Sequence, residues 1–147
     1  MKKVLVVHGP NLNMLGEREP GMYGPESLES IDRSLKNEGE ALDIEVRAIQ
    51  SNHEGELIDA IQDARQWASA LIINPGGLTH SSVSLRDAIA ATRLPAIEVH
   101  LTNIFAREEY RRRSITADAC LGIIAGFGAE AYHMALRSLP DLLRGDD

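Results

Sequence analysis

A carboxylate and an imidazole stand two residues apart in the apolar segment Ala96-Ile97-Glu98-Val99-His100. Successive side chains of a β-strand point to opposite faces, so Glu98 and His100 would share one face. A carboxylate beside an imidazole fixes the tautomer of the ring and favours its protonated form, which suits a general acid. The alternative interpretation is that His100 is an ordinary polar residue at the end of a strand.

Two further groups suit a small substrate rich in oxygen. His80 precedes a predicted helix N-terminus, where amides and hydroxyls favour an anionic or oxygen-rich ligand, although the same segment could simply cap the helix. A basic cluster follows, made of Arg107, Arg111, Arg112 and Arg113. We expect most of these arginines to be solvated, but one could bind a carboxylate through two parallel hydrogen bonds. The pattern predicts a small, oxygenated substrate that carries a carboxylate.

Other kinds of chemistry have weaker support. Lys2, Lys3 and Lys36 are the only lysines, and none follows a predicted strand, where a Schiff-base amine would be needed. We interpret Cys120 as a small buried apolar residue rather than a nucleophile. The five histidines lack the spacings of metal-binding motifs, although a metal site assembled in space stays open. Gly126-Phe127-Gly128 is interpreted as a tight turn rather than a nucleotide-binding loop.

Short apolar runs alternate along the chain with longer amphipathic ones. The short runs predict strands at 4–7, 44–49, 71–73, 96–99 and 121–125. The amphipathic runs predict helices, the first capped by Ser27 and the others at 56–67, 83–91 and 129–139, with Pro140 stopping the last. Five such units predict an α/β fold with a doubly wound, five-stranded parallel sheet and helices on both faces. The strictly alternating run 44–49 would lie near an edge.

Ligands of such sheets bind beyond the carboxyl ends of the strands. Polar, titratable and glycine residues follow the predicted strands there, in the segments 8–11, 51–54, 74–76, 100–103 and 126–128. The first strand is also followed by an irregular segment of 17 residues, from His8 to Gly24. A loop of that length in a small domain is usually functional or disordered.

The composition of the chain narrows its class. With 147 residues and 44% hydrophobic composition, we expect one domain over 1–147, with a frayed polar tail at 141–147. A net charge of −7 disfavours nucleic acid and anionic membranes as partners. The single cysteine excludes an internal disulfide, and no apolar run approaches the length of a membrane span or a signal peptide. We therefore expect a cytoplasmic protein.

Four blocks of sequence resemble the type II 3-dehydroquinate dehydratase family. In chain order they are GPNLNxLGxREPxxYG from Gly9, QSNHEGEL from Gln50, INPGxxTHxSVxLRDA from Ile73 and EVHLxNIxAREEYR from Glu98. A fifth stretch, GFGAxxY from Gly126, extends the match nearly to the end of the chain. Four blocks in register over almost the whole chain make the resemblance specific.

The resemblance implies a flavodoxin-like fold and a homododecamer built as a tetramer of trimers. It also implies a reaction, the elimination of water from 3-dehydroquinate to give 3-dehydroshikimate by acid–base chemistry through an enolate. No cofactor, metal or covalent intermediate is implied. The same step serves as the third reaction of the shikimate pathway and in the breakdown of quinate.

Carried over by position, the resemblance implies a role for each of five side chains. Tyr23 would remove a proton alpha to the ketone, and Arg18 would keep that phenol ionised. His100 would protonate the departing hydroxyl while Glu98 orients it, and Asn11 would help to position the water that supports the enolate. The substrate would be held by Asn74, His80, Asp87, Leu101, Thr102 and Arg111.

The segment His8–Gly24 would be an active-site lid with its glycines as hinges. The family more often has other residues at four positions of this chain, namely Gly77, Ser81, Thr102 and Phe105. Thr102 keeps the hydroxyl of the family's serine and adds a methyl group, which bears on affinity more than on reaction type. The competing hypothesis is a binding module of the same fold without turnover. Such a module would require neither the Arg18–Tyr23 pair nor the Glu98–His100 pair.

Overall fold

A parallel sheet of five strands, in the spatial order β2-β1-β3-β4-β5, forms the middle of the fold in this computed structural model. The structure describes residues 1–17 and 19–145. The strands are β1 (Lys2–His8), β2 (Ile44–Gln50), β3 (Ala70–Asn74), β4 (Ala96–His100) and β5 (Gly122–Ala125). They confirm the five predicted strands to within two residues at each end, and β2 lies at an edge as predicted.

Helices cover both faces of the sheet, which confirms the doubly wound architecture. They are α1 (Pro20–Tyr23), α2 (Leu28–Ala41), α3 (Glu54–Ala64), α4 (Val83–Thr92) and α5 (Glu130–Leu142). Because the side chains of β1 alternate, Val4 and Val6 pack in one core with α2 and α5, while Leu5 and Val7 pack in a second core with α3 and α4. Among the described residues, no helix has the length and apolar character needed to cross a bilayer.

Side-chain caps start two of these helices. Ser27 Oγ accepts the backbone N–H of Ser30 at the start of α2, as the sequence predicts, and Ser82 does the same for Leu85 at the start of α4. The third helix is shifted from its predicted range of 56–67. It begins at Glu54, and beyond Ala64 the chain continues as a turn in which the N–H of Trp67 donates to the carbonyl of Ala64.

The prediction that Pro140 stops the last helix is wrong. The helix α5 continues through Leu142, with Pro140 inside its final turn. Leu139 and Leu143 flank the proline four residues apart, and both are buried in the core shared with α2. The N–H of Leu143 donates to the carbonyl of Leu139 at 2.8 Å. Burial of these two leucines therefore supports a turn that the local preference of proline would end.

The segment after β1 is more regular than the sequence predicts. It contains a 3-10 turn at Leu12–Met14 as well as α1, and Leu12 and Leu15 are buried in the core beside α2. Gly16 and Gly24 flank α1 with φ angles of 91° and 95°, a conformation that other residues rarely adopt. The first part of the segment is thus anchored by apolar packing.

The order of the strands reverses beside β1. Strand β1 pairs with β2 on one side and with β3 on the other, and all of these strands run parallel. The last residues of β1 and β3, His8 and Asn74, lie side by side in register. Such a point of reversal leaves a crevice beyond the carboxyl ends of the strands, which is where ligands of these sheets bind.

Candidate active site

A pocket of about 140 Å³ lies in this crevice, beyond the carboxyl ends of β1, β3 and β4. Its volume suits a ligand smaller than a drug-sized molecule. Eight residues that the sequence analysis selects line it together, namely Asn11, Tyr23, Asn74, His80, His100, Leu101, Thr102 and Arg111. Side chains from five separate stretches of sequence are thereby brought to one place.

Glu98 and His100 form a buried pair at the end of β4. They share one face of the strand, and His100 Nε2 donates to Glu98 Oε2 at 2.8 Å. The side chain of Glu98 is fully buried and that of His100 is 6% exposed at the edge of the pocket. Because Nε2 is engaged by the carboxylate, Nδ1 is the ring nitrogen left for a ligand. The arrangement suits a histidine that transfers a proton.

Two hydroxyls complete the surroundings of Glu98. Thr116 Oγ1 donates to Glu98 Oε1, and Ser114 Oγ donates to Oε2 at 2.7 Å. Burial alone would raise the pKa of Glu98, but the hydrogen bonds from His100, Thr116 and Ser114 together lower it below its ordinary value. The carboxylate therefore stays ionised at neutral pH and supplies a fixed negative charge beside His100. Neither hydroxyl is predictable from a local pattern, because the two lie 16 and 18 residues beyond Glu98.

The phenol of Tyr23 lies against a guanidinium. Arg107 Nη2 donates to Tyr23 Oη at 3.0 Å, and its Cζ atom lies 5.4 Å from the centre of the ring. Arg107 Nη1 also lies 3.4 Å from Thr102 Oγ1. Arg107 belongs to the basic cluster of the sequence, but no local pattern connects it with Tyr23, because 84 residues separate the two. The guanidinium thus places a positive charge and a hydrogen-bond donor at the phenolic oxygen.

Of the four clustered arginines, Arg107 and Arg111 line the pocket. Arg111 Nε donates to Glu108 Oε2 at 2.8 Å, which holds the side chain in place. Arg112 and Arg113 are exposed outside the pocket. The structure thus selects two cations from the cluster, and Arg111 is available to receive a carboxylate.

His80 ends the 3-10 turn Gly76–His80, which leads into α4. Its Nδ1–H donates to the carbonyl oxygen of Arg113 at 2.8 Å, so Nε2 is the nitrogen that remains for a ligand. Gly76 has a φ of 62°, and a Cβ atom there would meet the carbonyl oxygen of Pro10 at 2.9 Å. Glycine is therefore needed at this position to let the two loops approach closely.

Asn11 lies on the loop after β1 with a left-handed φ of 71°. Its backbone N–H donates to Asn52 Oδ1 at 2.9 Å, and Gln50 Nε2 donates to the same oxygen at 3.2 Å. Gln50 and Asn52 belong to the block that begins at Gln50, yet neither lines the pocket. That block supports the loop of Asn11 from the side.

The structure does not bring Asp87 into the pocket. Asp87 is exposed on α4, where its carboxylate accepts a hydrogen bond from Arg86 at 3.2 Å. It is absent from the residues that line the pocket. The prediction for Arg18 lies outside the described residues.

Metal binding, a cysteine nucleophile and a nucleotide-binding loop are the other sites that the sequence raised. Within residues 1–17 and 19–145, no three His, Cys, Asp or Glu side chains converge as metal ligands. Burial raises the pKa of Cys120 to about 12, which keeps the thiol protonated and unreactive at neutral pH. The segment Gly126–Gly128 has positive φ at all three residues, which is the geometry of a tight turn.

A family model and the relatives with similar sequences indicate the same family for this chain. The family model described as "Dehydroquinase class II" matches residues 2–140. A 3-dehydroquinate dehydratase from Halothermothrix orenii is 51% identical over 144 residues, which are 98% of this chain and 97% of that protein. A 3-dehydroquinate dehydratase from Dictyoglomus turgidum is 52% identical over 139 residues, which cover 95% of this chain and 96% of that protein.

Solved structures that resemble this fold belong to the same family. A type II dehydroquinase from Butyrivibrio crossotus superposes with a TM-score of 0.92 at 44% identity, covering 94% of this chain and 97% of that one. A type II dehydroquinase from Propionibacterium acnes superposes with a TM-score of 0.93 at 35% identity, covering 96% and 97%.

Proposed function

The chain belongs to the type II 3-dehydroquinate dehydratase family of hydro-lyases, and from that premise we propose that its pocket removes water from 3-dehydroquinate by acid–base elimination through an enolate. The observation that carries the mechanism is the presence of two charge-paired groups at one small pocket. These are Tyr23 with Arg107 and His100 with Glu98. A module that only bound a carboxylate would require neither pair.

In the proposed reaction Tyr23, as the phenolate, takes the proton alpha to the ketone, and the electron pair of the broken C–H bond forms the enolate. Arg107 donates to the phenolic oxygen and supports this charge, and Arg18 would add to it. Collapse of the enolate expels the hydroxyl, which takes a proton from His100 and leaves as water. Glu98 accepts from Nε2 and holds the imidazole in the orientation that this step requires.

The remaining residues of the pocket hold the substrate and the developing charge. Arg111 would pair with the carboxylate of the substrate, since a guanidinium matches that group well. The rest of the substrate would be held by Asn74, by His80, by the backbone of Leu101 and by the hydroxyl of Thr102. Asn11 would position a water molecule against the enolate oxygen. A lid movement of residues 16–24, hinged at Gly16 and Gly24, would close the pocket over the substrate, while Leu12 and Leu15 stay anchored in the core.

The experiment that tests the proposal is a direct assay with 3-dehydroquinate. The product is a conjugated enone, so turnover is followed as a rise in ultraviolet absorbance. We expect such a rise with the purified chain and no added cofactor. Binding of the substrate without any rise would favour the binding module instead.

Reduction with borohydride separates this mechanism from one that forms an imine. The three lysines are in β1 and α2, and none lines the pocket. We expect borohydride in the presence of substrate, or a chelator, to leave the rate unchanged. A substrate-dependent loss of activity on borohydride treatment would indicate a covalent intermediate and contradict the proposed mechanism.

The proposal includes a homododecamer, in which Asp87 would lie near a boundary between subunits. This carboxylate is exposed on α4 and 63% accessible in the single chain, so it is free to enter the site of a neighbouring subunit. We expect light scattering or sedimentation to give a mass near that of twelve chains. We also expect the protein to be cytoplasmic, because its single cysteine fits a reducing compartment. A monomer at micromolar concentration would contradict the dodecamer and the role of Asp87.

A further inference from the structure

A line of hydrogen bonds runs from the pocket through the core to the partly exposed carboxylate of Asp32 on α2. Asn74 Nδ2 donates to Tyr132 Oη at 3.1 Å, His8 Nδ1 lies 2.8 Å from the same oxygen, and His8 Nε2 lies 2.7 Å from Asp32 Oδ1. We refer to these four residues as the His8 network. His8 and Tyr132 are fully buried, Asn74 is 3% exposed and the side chain of Asp32 is 26% exposed.

The direction of donation in the His8 network follows from its partners. The backbone N–H of Gly76 lies 3.1 Å from Asn74 Oδ1 and can only donate, so the other end of the amide, Nδ2, faces Tyr132. The hydroxyl of Tyr132 already accepts from Asn74, so its own proton is directed to His8 Nδ1. His8 therefore carries its proton on Nε2 and donates it to the carboxylate of Asp32. In this arrangement each of the three contacts joins a donor to an acceptor, and the proton of the Tyr132 hydroxyl has a partner.

The consequence concerns the amide of Asn74. Gly76 holds one end of that amide and Tyr132 holds the other, so the amide cannot flip without leaving two buried groups unpaired. One N–H of Nδ2 remains for the pocket, with a defined direction. Burial raises the pKa of Tyr132, which keeps its hydroxyl protonated and the line intact.

We infer that Tyr132, His8 and Asp32 are positioning residues for the reaction, and that they act by fixing the amide of Asn74 toward an oxygen of the substrate. This inference rests on the proposed function, because the substrate must occupy the pocket that Asn74 lines. None of the three residues lines that pocket. Their influence on catalysis is therefore exerted through Asn74.

A double-mutant cycle tests the inference. We expect Tyr132→Phe to lower kcat/KM about tenfold, as is usual for residues coupled through one hydrogen-bond network. The same change in an Asn74→Ala background should lower kcat/KM less than about twofold, since the group through which Tyr132 acts is absent. A purely structural role would lower the melting temperature in both backgrounds and leave the two kinetic effects equal.

A second variant reaches the network from its surface end. Asp32→Ala removes the acceptor of His8, and we expect it to lower kcat/KM about threefold, the scale of one lost hydrogen bond. Glu29→Ala is the matched control, because Glu29 is an exposed acid of the same helix that contacts Arg33 and lies outside the network. It should leave kcat/KM unchanged.

The outcomes separate the two claims. A wild-type protein without dehydratase activity would overturn the proposed function and, with it, the role of the network. An active wild-type protein that loses kcat/KM equally in both arms of the cycle would overturn the network alone. If Tyr132→Phe does not fold, the surface variant decides, and a value for Asp32→Ala equal to that for Glu29→Ala overturns the inference.

Discussion

Replacing Tyr23 with phenylalanine is expected to lower kcat by 10² or more, the lower part of the range for the loss of a general base. The substitution removes the oxygen that would take the proton and leaves the ring in place. The contacts that Asn74, His80 and Arg111 offer to the substrate are unchanged. Affinity for the substrate should therefore change by less than about tenfold, a loss much smaller than that in turnover.

The physical reason lies in the ionisation of a phenol. A phenol in water has a pKa of about 10, so only about a thousandth of it is a base at pH 7. A guanidinium within hydrogen-bonding distance favours the charged form. Arg107 donates to Tyr23 Oη at 3.0 Å, so Arg107→Ala should also lower kcat. We expect Arg18→Ala to act in the same direction.

Single-turnover and steady-state assays with 3-dehydroquinate, together with calorimetric titration, separate the effects on turnover and affinity. Tyr110→Phe is a control for kcat alone, since Tyr110 is 65% exposed outside the pocket, while its hydroxyl interacts with Arg111 and its loss can change substrate binding. It should change kcat less than about twofold, as is usual for a surface position. If Tyr23→Phe keeps more than about a tenth of the wild-type rate, Tyr23 is a contact of the closed lid and the base lies elsewhere.

Replacing His100 with alanine is expected to lower kcat by about 10², because the departing hydroxyl then lacks its acid. Binding should weaken as well, since His100 lines the pocket. Glu98→Gln keeps the shape of the side chain but removes the charge beside the imidazole. We expect a smaller loss of about tenfold, because the histidine remains and only its charged partner is lost.

The pH dependence gives this second prediction a sharper test. Buried hydrogen bonds lower the pKa of Glu98 below the ordinary value of a glutamic acid. The carboxylate is therefore ionised at every pH above that ordinary value and becomes protonated only at lower pH. The advantage of the wild type over Glu98→Gln should therefore be lost only as the pH falls below about 4, the ordinary range of a glutamic acid. Glu109→Gln, a change at an exposed acid outside the pocket, serves as the control. Full activity of Glu98→Gln would show that His100 does not need the charge.

Much of the fold and several of the chemical groups could be predicted from local patterns. The alternating run in β2 and the apolar run in β3 were recognisable because side-chain period and burial are properties of consecutive residues. The pairing of Glu98 with His100 was predictable for the same reason, since two residues apart on one strand share a face. The family resemblance added roles for residues that no local pattern connects.

Contacts between segments that are distant in the sequence could not be predicted from local patterns. Arg107 beside Tyr23, the hydroxyls of Thr116 and Ser114 on Glu98, and the His8 network all depend on which strands become neighbours. Pro140 illustrates the converse, because its local preference to end a helix gives way to the burial of Leu139 and Leu143.

Patterns in the sequence were enough to predict the five strands, the family and the chemical groups that a proton-transfer reaction needs. The cation that lies against Tyr23, the donors that keep Glu98 charged and the direction of the Asn74 amide became known only from the folded chain. Periodicity acts over a few residues, so local patterns do not reach these contacts. Hydrogen bonds in the core, in contrast, join groups up to 124 positions apart, whose approach is set by strand order and packing.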